Sequence, residues 1–328
     1  VKAVVLDGRE VRDLLPLPAC IEAMSDALSR LAKGEVHQPL RLVFRPPDAA
    51  GLMAVMPAYA GGPGAAFGLK AIGIFPGNAA RGMDTHQGIV CLFDGETGEL
   101  MALMNGAAVT AVRTAAVSGV ATRALAREDA GDLAILGSGT QARAHLQAMA
   151  SVRPLRRVRV ASRRLENARR LASEMAPFVP VPIEPVATVA EALRGADLVV
   201  TATDAVDPLV RREWIAPGAH LNAIGASLPD RREVDSATMA AARLFVDRRE
   251  STTNEAGDYL IPLREGAIGP DHIAAELGEV LIGARPGRTE AAEITLFKSL
   301  GLAVEDLAAA SLACERARES GRGAWIEL

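Results

Sequence analysis

Hydrophobic and polar positions change their rhythm partway along the chain. Up to about Met104 they mix a helix, strands and Gly/Pro-rich turns. Ile21, Met24, Leu28 and Leu31 recur at helical spacing within Ala19–Lys33, and Gly34 ends that run. Met53–Met56, Gly68–Phe75 and Ile89–Phe93 read as strands. Asp94-Gly-Glu-Thr-Gly98 is a hairpin-type turn leading into an apolar strand at Leu100–Met104. This half is expected to be α+β with a substantial sheet.

From about Asp132 the pattern alternates strictly. Strands are predicted at Leu133–Leu136, Val158–Ala161, Leu198–Thr201, Leu221–Ile224 and Leu244–Val246, with a short extended piece at Val179–Pro182. Helices are predicted at Gln141–Ser151, Glu166–Met175 and Val189–Leu193. Short apolar strands alternating with helices imply an α/β unit whose parallel sheet is covered on both faces. Thr110–Ala126 reads as a connecting helix with small residues at Ala111, Ala115, Ser118, Gly119 and Thr122, suited to close packing. Val304–Arg316 reads as an apolar-faced helix that returns to the first half.

Gly137-Ser-Gly-Thr-Gln-Ala142 follows Ala134-Ile-Leu136 directly and opens a helix. In that context G-x-G-x-x-A is a dinucleotide signature. Gly137 permits the tight turn, Gly139 lets backbone approach a pyrophosphate, and Ala142 allows close helix–strand packing; the helix N-terminus aims N–H groups at the anion. The end of the second strand selects the cofactor. Ser162-Arg163-Arg164 stands where NAD sites usually place an acid, and arginine pairs with a 2′-phosphate. NADP(H) is therefore the expected cofactor, with NAD(H) as the second choice; the plain alternative is that these arginines are surface charge.

Composition removes several classes. The 328 residues carry a formal net charge of −4 and no basic excess, which argues against a nucleic-acid partner. There is no run of about 18 apolar residues and no signal-peptide pattern, so no membrane partner and a cytoplasmic location are expected. Cys20, Cys91 and Cys314 lack metal-ligand spacing and read as reduced thiols, and no metal is expected.

Basic side chains in apolar surroundings are the remaining candidates. Lys70 lies in Phe67-Gly-Leu-Lys-Ala-Ile-Gly-Ile-Phe75, and is expected to point into a cleft, since a buried lysine needs a partner. A snorkelling edge lysine is the plain alternative. Arg113 is read as lying near the start of the connecting helix, where the dipole disfavours it. A bound anion or a structural salt bridge would compensate equally well. Arg41 lies in the apolar run Gln38-Pro-Leu-Arg-Leu-Val43, and an edge-strand charge explains it as readily as a ligand. His86 fits a hydrogen-bonded loop histidine better than a catalytic one. Cationic groups plus a dinucleotide suit hydride transfer to a carboxylate-bearing substrate.

Met56-Pro-Ala-Tyr59, Gly68-Leu-Lys70, Thr85-His-Gln-Gly88, Thr110–Ala116, Gly137–Ala142, Leu221-Asn-Ala-Ile-Gly-Ala-Ser227, Glu276-Leu-Gly-Glu279 and Phe297-Lys-Ser-Leu-Gly301 together resemble the ornithine cyclodeaminase/mu-crystallin family, nearly end to end. The resemblance implies a homodimer. It implies a substrate and dimerisation domain from residues 1–115 completed by 302–328, and a Rossmann NAD(P)-binding domain over 116–301. By motif, Arg41, Lys70 and Arg113 match its substrate-carboxylate positions, with Lys70 and Arg113 also expected to act in catalysis. The expected cofactor-binding set is Gly137, Ser138, Gly139, Thr140, Gln141, Ser162, Arg163, Arg164, Thr201, Thr203, Ile224, Ser227 and Ser299.

One departure matters. Cyclodeaminases and the related archaeal alanine dehydrogenases carry an aspartate at the position of Ser227, and serine is no comparable base near neutral pH. Ala226-Ser-Leu-Pro-Asp230 followed by Arg232-Glu233 looks like the mu-crystallin branch, whose members reduce cyclic ketimines. The expected activity is thus NAD(P)H-dependent reduction of carboxylated cyclic imines, such as Δ1-pyrroline-2-carboxylate or Δ1-piperideine-2-carboxylate. The alternatives are ornithine cyclodeaminase or an amino-acid dehydrogenase, and, from another class, an NADPH-loaded binding protein without turnover.

Overall fold

The computed structural model describes residues 2–327. They form two compact units: the chain up to Thr114 together with the part from Gly301 onward, and Ala115–Leu300. The first unit opens with β1 (Lys2–Leu6), α1 (Gly8–Leu14), α2 (Leu17–Ala32), β2 (Val36–His37) and β3 (Leu42–Phe44). A meander follows: β4 (Leu52–Ala60), β5 (Ala66–Ile74), β6 (His86–Asp94) and β7 (Leu100–Asn105). α3 (Gly106–Leu125) carries the chain into the second unit. There, β8 (Asp132–Leu136), α4 (Thr140–Val152), β9 (Arg157–Ala161), α5 (Leu165–Met175), β10 (Ile183–Val186), α6 (Val189–Leu193) and β11 (Leu198–Thr201) alternate. β12 (His220–Ala223), α7 (Ser236–Ala241), β13 (Arg243–Val246), α8 (Arg249–Glu255), α9 (Gly257–Arg264), β14 (Ile273–Glu276), α10 (Leu277–Leu281) and β15 (Thr295–Lys298) complete that unit. α11 (Ala303–Ser320) and β16 (Ala324–Glu327) return to the first.

The first unit's sheet runs β16-β1-β7-β6-β5-β4-β2, with β3 also paired to β4. Strict alternation in β4 buries Leu52, Ala54, Met56 and Ala58 on one face and exposes Met53 and Pro57 on the other. α11 packs on the buried face, against β4, β5, β6 and α2. Small residues make that approach close: Ala309, Ala310, Ala313 and Ala317 are fully buried, and a Cβ at Gly68 would lie 3.0 Å from the Cβ of Leu307. The opposite face is apolar and uncovered. Leu42, Phe44, Met53, Phe67 and Ile89, aligned on it by register, are 41% to 63% exposed.

The second unit's eight strands are all parallel, in the order β10-β9-β8-β11-β12-β15-β13-β14. Buried strand residues such as Ala134, Leu136, Val199, Leu221, Leu244 and Leu296 supply its core; burial of a leucine or valine contributes about 1.5–3 kcal/mol. Leu136, Ala161, Thr201, Ala223 and Lys298 stand in one row across adjacent strands. The chain order reverses between β8 and β11, the switch point at which such sheets bind ligands.

Three local expectations shift. The extended piece expected at Val179–Pro182 forms as β10 four residues later, because Pro180 and Pro182 have no N–H for the ladder. β10 pairs with β9 alone at the sheet edge, so its own Pro185 is tolerated. α3 begins four residues earlier than expected, at Gly106; the Asn105 side chain accepts from the Ala108 N–H at 2.9 Å. β15 was not anticipated as a strand, yet it lies between β12 and β13. Among the described residues, no helix is long and apolar enough to cross a membrane. Cys20, Cys91 and Cys314 are buried free thiols.

Candidate active-site elements

The register of the parallel sheet brings most of the expected cofactor residues to one edge. The residues that follow the aligned row are Gly137, Ser162, Ala202, Ile224 and Ser299. Gly137 has φ +121°, and a side chain there would overlap the Ala202 carbonyl oxygen, so the turn after β8 requires glycine. Gly139 is the N-cap of α4 and, as glycine, brings no capping side chain to that helix start. A Cβ at Gly139 would meet nothing within 4 Å, which leaves room for a pyrophosphate over the first turn of the helix, Thr140 and Gln141. The Ser138 and Ser162 hydroxyls lie 2.8 Å apart and tie this turn to the end of β9. Arg163 and Arg164 project from that end, exposed, and neither guanidinium forms an ion pair among the described residues.

The edge also holds a carboxylate that sequence reasoning missed. Glu233 is fully buried and links the loops after β11 and β12. Its Oε1 accepts from the Thr203 N–H (2.8 Å) and hydroxyl (2.6 Å); its Oε2 accepts from the Thr201 hydroxyl (2.6 Å) and the Gly225 N–H (2.7 Å). Asp258 accepts from the Glu233 N–H at 2.7 Å and pairs with the buried Lys298 ammonium at 2.9 Å. Burial pushes the Glu233 carboxyl above its ordinary range, and Asp258 adds to the shift; Lys298 and the two threonine hydroxyls oppose it. Thr201 thus has its hydroxyl on Glu233 and no exposed surface, whereas Thr203 is half-buried. Ile224 is buried, Ser227 is exposed, and the Ser299 hydroxyl is buried without a hydrogen-bond partner.

The first unit gathers the expected substrate-binding cations. Lys70, expected to face a cleft, lies on the helix-covered face of β5 and is 3% exposed; its partner is Asp306, with Nζ 3.3 Å from Oδ1. Because α3 starts at Gly106, Arg113 is two turns into it and not at the dipole end. Its charge is met by two carboxylates of α11: NH1 lies 2.7 Å from Glu305 and Nε 3.0 Å from Asp306. Arg41, expected within a strand, immediately precedes β3, is half-buried, and donates to the Gly301 carbonyl at 3.1 Å. Gly301 has φ +79°, and a Cβ there would be 2.5 Å from Arg113 NH1, so only glycine lets the chain pass the guanidinium. Arg41, Lys70 and Arg113 thus converge on the segment that holds Gly301, Glu305 and Asp306. Burial, with Arg113 and Arg41, lowers the Lys70 pKa to about 8, and Asp306 opposes that fall. His86 opens β6, its Nδ1 3.0 Å from the Thr85 hydroxyl, and is exposed.

Glu305 and Asp306 were also missed. Their signal was faint: two adjacent acids inside the apolar run Leu302-Ala-Val-Glu-Asp-Leu-Ala-Ala-Ala310. No cluster of histidine, cysteine and acidic side chains able to hold a metal occurs among the described residues.

A Rossmann sheet with an open phosphate turn, and in the other unit a cluster of Arg41, Lys70 and Arg113, fit a nicotinamide-dinucleotide-dependent oxidoreductase. The chain belongs to the ornithine cyclodeaminase/mu-crystallin family, whose model matches residues 1–321. It is 41% identical over 311 residues to the mouse ketimine reductase mu-crystallin, covering 94% of this chain and 95% of the relative. Among solved structures, the Thermococcus litoralis Δ1-pyrroline-2-carboxylate reductase, in complex with NADH and L-proline, superposes with a TM-score of 0.95. It is 38% identical and covers 98% of this chain and 99% of its own. An archaeal alanine dehydrogenase dimer with bound NAD superposes at 0.92, with 31% identity and full coverage of both chains.

The open space at Gly139 makes the turn testable. Gly139→Val should keep the fold, since its Cβ meets nothing, but lower dinucleotide affinity at least about tenfold, as lost contacts worth 1.4 kcal/mol or more would. Calorimetric titration with NADPH and NADH, alongside a thermal melt, checks this. Unchanged affinity in the folded variant would place the cofactor elsewhere.

Proposed function

We propose that this oxidoreductase reduces the C=N bond of carboxylated cyclic imines, five- or six-membered, with NADPH preferred over NADH. The observation that carries the reading is the convergence of Arg41, Lys70 and Arg113 on the Gly301–Asp306 segment, which gathers three cationic groups suited to a substrate carboxylate. The printed activities of the mouse and Thermococcus relatives support it.

The Gly137–Ala142 turn would hold the dinucleotide, whose reduced nicotinamide would supply the hydride when bound. Arg41 and Arg113 hold the substrate carboxylate and so restrict the imine carbon to one orientation. Lys70 serves as orienter and proton source for the imine nitrogen; with its pKa near 8 it is mostly protonated at pH 7 yet able to release a proton. Hydride to carbon and proton to nitrogen convert C=N to CH–NH. Ser227 offers no carboxylate to deprotonate an amine, which favours this chemistry over ring closure of ornithine.

The apolar face of the first unit's sheet, exposed among the described residues, supports a homodimer that covers it, and the archaeal alanine dehydrogenase relative is itself a dimer.

Three measurements test these readings. In a spectrophotometric panel, cyclic imino acids should oxidise NADPH while ornithine yields negligible proline; ornithine turnover at ordinary enzymatic rates would instead make the enzyme a cyclodeaminase. Replacing Arg163 and Arg164 with alanine should raise KM for NADPH roughly tenfold to a hundredfold and leave NADH little changed, at about 1.5–3 kcal/mol for a charge-assisted contact. Equal effects on both cofactors would sink the phosphate-pairing idea. Light scattering should give a dimer mass for the unaltered chain and a monomer for Phe44→Glu/Met53→Glu; a dimer that survives both substitutions lies on another face.

A further inference from the structure

Only four of the chain's 36 basic side chains are lysines: Lys2, Lys33, Lys70 and Lys298. Two of the four are buried, and each is bonded to one aspartate. Arginine cannot lose its proton in a protein, whereas a buried lysine can. In so arginine-rich a chain, Lys70 supplies what arginine would not: a compact charge that titrates.

We propose that Glu305 and Asp306 are positioning residues: this acid pair, in the first turn of α11, fixes the cations of the substrate clamp and keeps Lys70 protonated. The inference deepens the reductase reading and rests on it for the use made of the proton. One oxygen, Asp306 Oδ1, accepts from both Lys70 Nζ (3.3 Å) and Arg113 Nε (3.0 Å). Glu305 takes Arg113 NH1 at 2.7 Å, and Arg41 donates to the carbonyl of Gly301 just upstream. Gln38 accepts from the Val304 N–H at 2.9 Å and fastens the same stretch from the other side. A segment of six residues, Gly301–Asp306, therefore contacts every member of the clamp. Both acids are almost fully buried, so they are not solvating surface charges. The helix dipole favours acids in this first turn.

The charged groups around Lys70 set the sign of the effect. Asp306 faces it from α11, Arg113 from α3, and Arg41 from the segment before β3; His86, on β6, is close enough to feel its charge. Its cross-strand neighbours, Met56 and Val90, carry none. Asp306 raises the Lys70 pKa, while burial, Arg113 and Arg41 lower it. Neutralising Asp306 must therefore make Lys70 release its proton at lower pH. Asparagine is a suitable replacement. Its carbonyl can take the place of Oδ1, and its amide falls where Oδ2 already has no hydrogen-bond partner.

The 328-residue chain labelled with [ε-13C]lysine should give four resonances, Lys70 being assigned by its loss in Lys70→Arg. The Lys70 midpoint should lie near 8 in the unaltered enzyme and fall by roughly one unit or more in Asp306→Asn, the usual effect of removing an adjacent opposite charge. Asp306→Glu should restore most of the difference, and Glu305→Gln, which leaves the Lys70 bond intact, should give a smaller fall. The basic limb of kcat/KM for a cyclic imino acid should move down with the midpoint, a change that loss of packing alone would not produce. An unchanged midpoint in folded Asp306→Asn would overturn the proposal; if that variant does not fold, an unchanged midpoint in Glu305→Gln would do the same. The two readings fail separately, because an enzyme that titrates as expected but turns over no cyclic imine refutes the reductase reading alone.

Discussion

Placing a guanidinium and an ammonium together out of water is unfavourable by several kcal/mol per ion unless opposite charges accompany them. For Arg113 and Lys70 those charges come from Glu305 and Asp306, which are 192 and 236 residues away in the chain. Much of the first unit follows from that contact. α11 must lie on the sheet close enough for its first turn to reach β5 and α3, and so the helix is built from alanine and the strand beneath it carries Gly68. Gly301 must turn with positive φ past the guanidinium. The apolar covering and the ionic centre are two aspects of one packing arrangement.

The second unit solves a related problem with backbone. Its register aligns strand ends, so that turns with different sequences open at one level. Glu233 then gathers two of those turns through four hydrogen bonds, all donated to its carboxylate. Two of the donors are backbone N–H groups, which cannot reverse their role, so an amide at this position could not reproduce the set. Asp258, which accepts from the Glu233 N–H, is itself paired with the buried Lys298 ammonium.

Legibility in the sequence followed the range of the interactions. The Gly137–Ala142 turn could be read because strand, turn and helix are contiguous and each glycine has a local reason. Lys70, Arg113 and Arg41 stood out as charges in apolar runs, but their partners did not. Glu305 and Asp306 look like ordinary first-turn acids until the fold brings them to Arg113. β15 is four residues long, and only its insertion between β12 and β13 makes it a strand. The start of α3 was hidden because Gly106-Ala-Ala carries no polar cap of its own; the cap is Asn105, read as the tail of a strand.

The long separation between Arg113 and Glu305 also orders events on the ribosome. When Lys70 and Arg113 emerge, neither carboxylate that balances them has been made. At synthesis rates of roughly 5–20 residues per second, about 10–40 s pass before α11 appears. During that interval the whole second unit has been translated, and its parallel sheet contains every strand it needs. The nascent chain thus completes its parallel-sheet half while the earlier-made half still waits for α11, so the part translated first is the part that matures last.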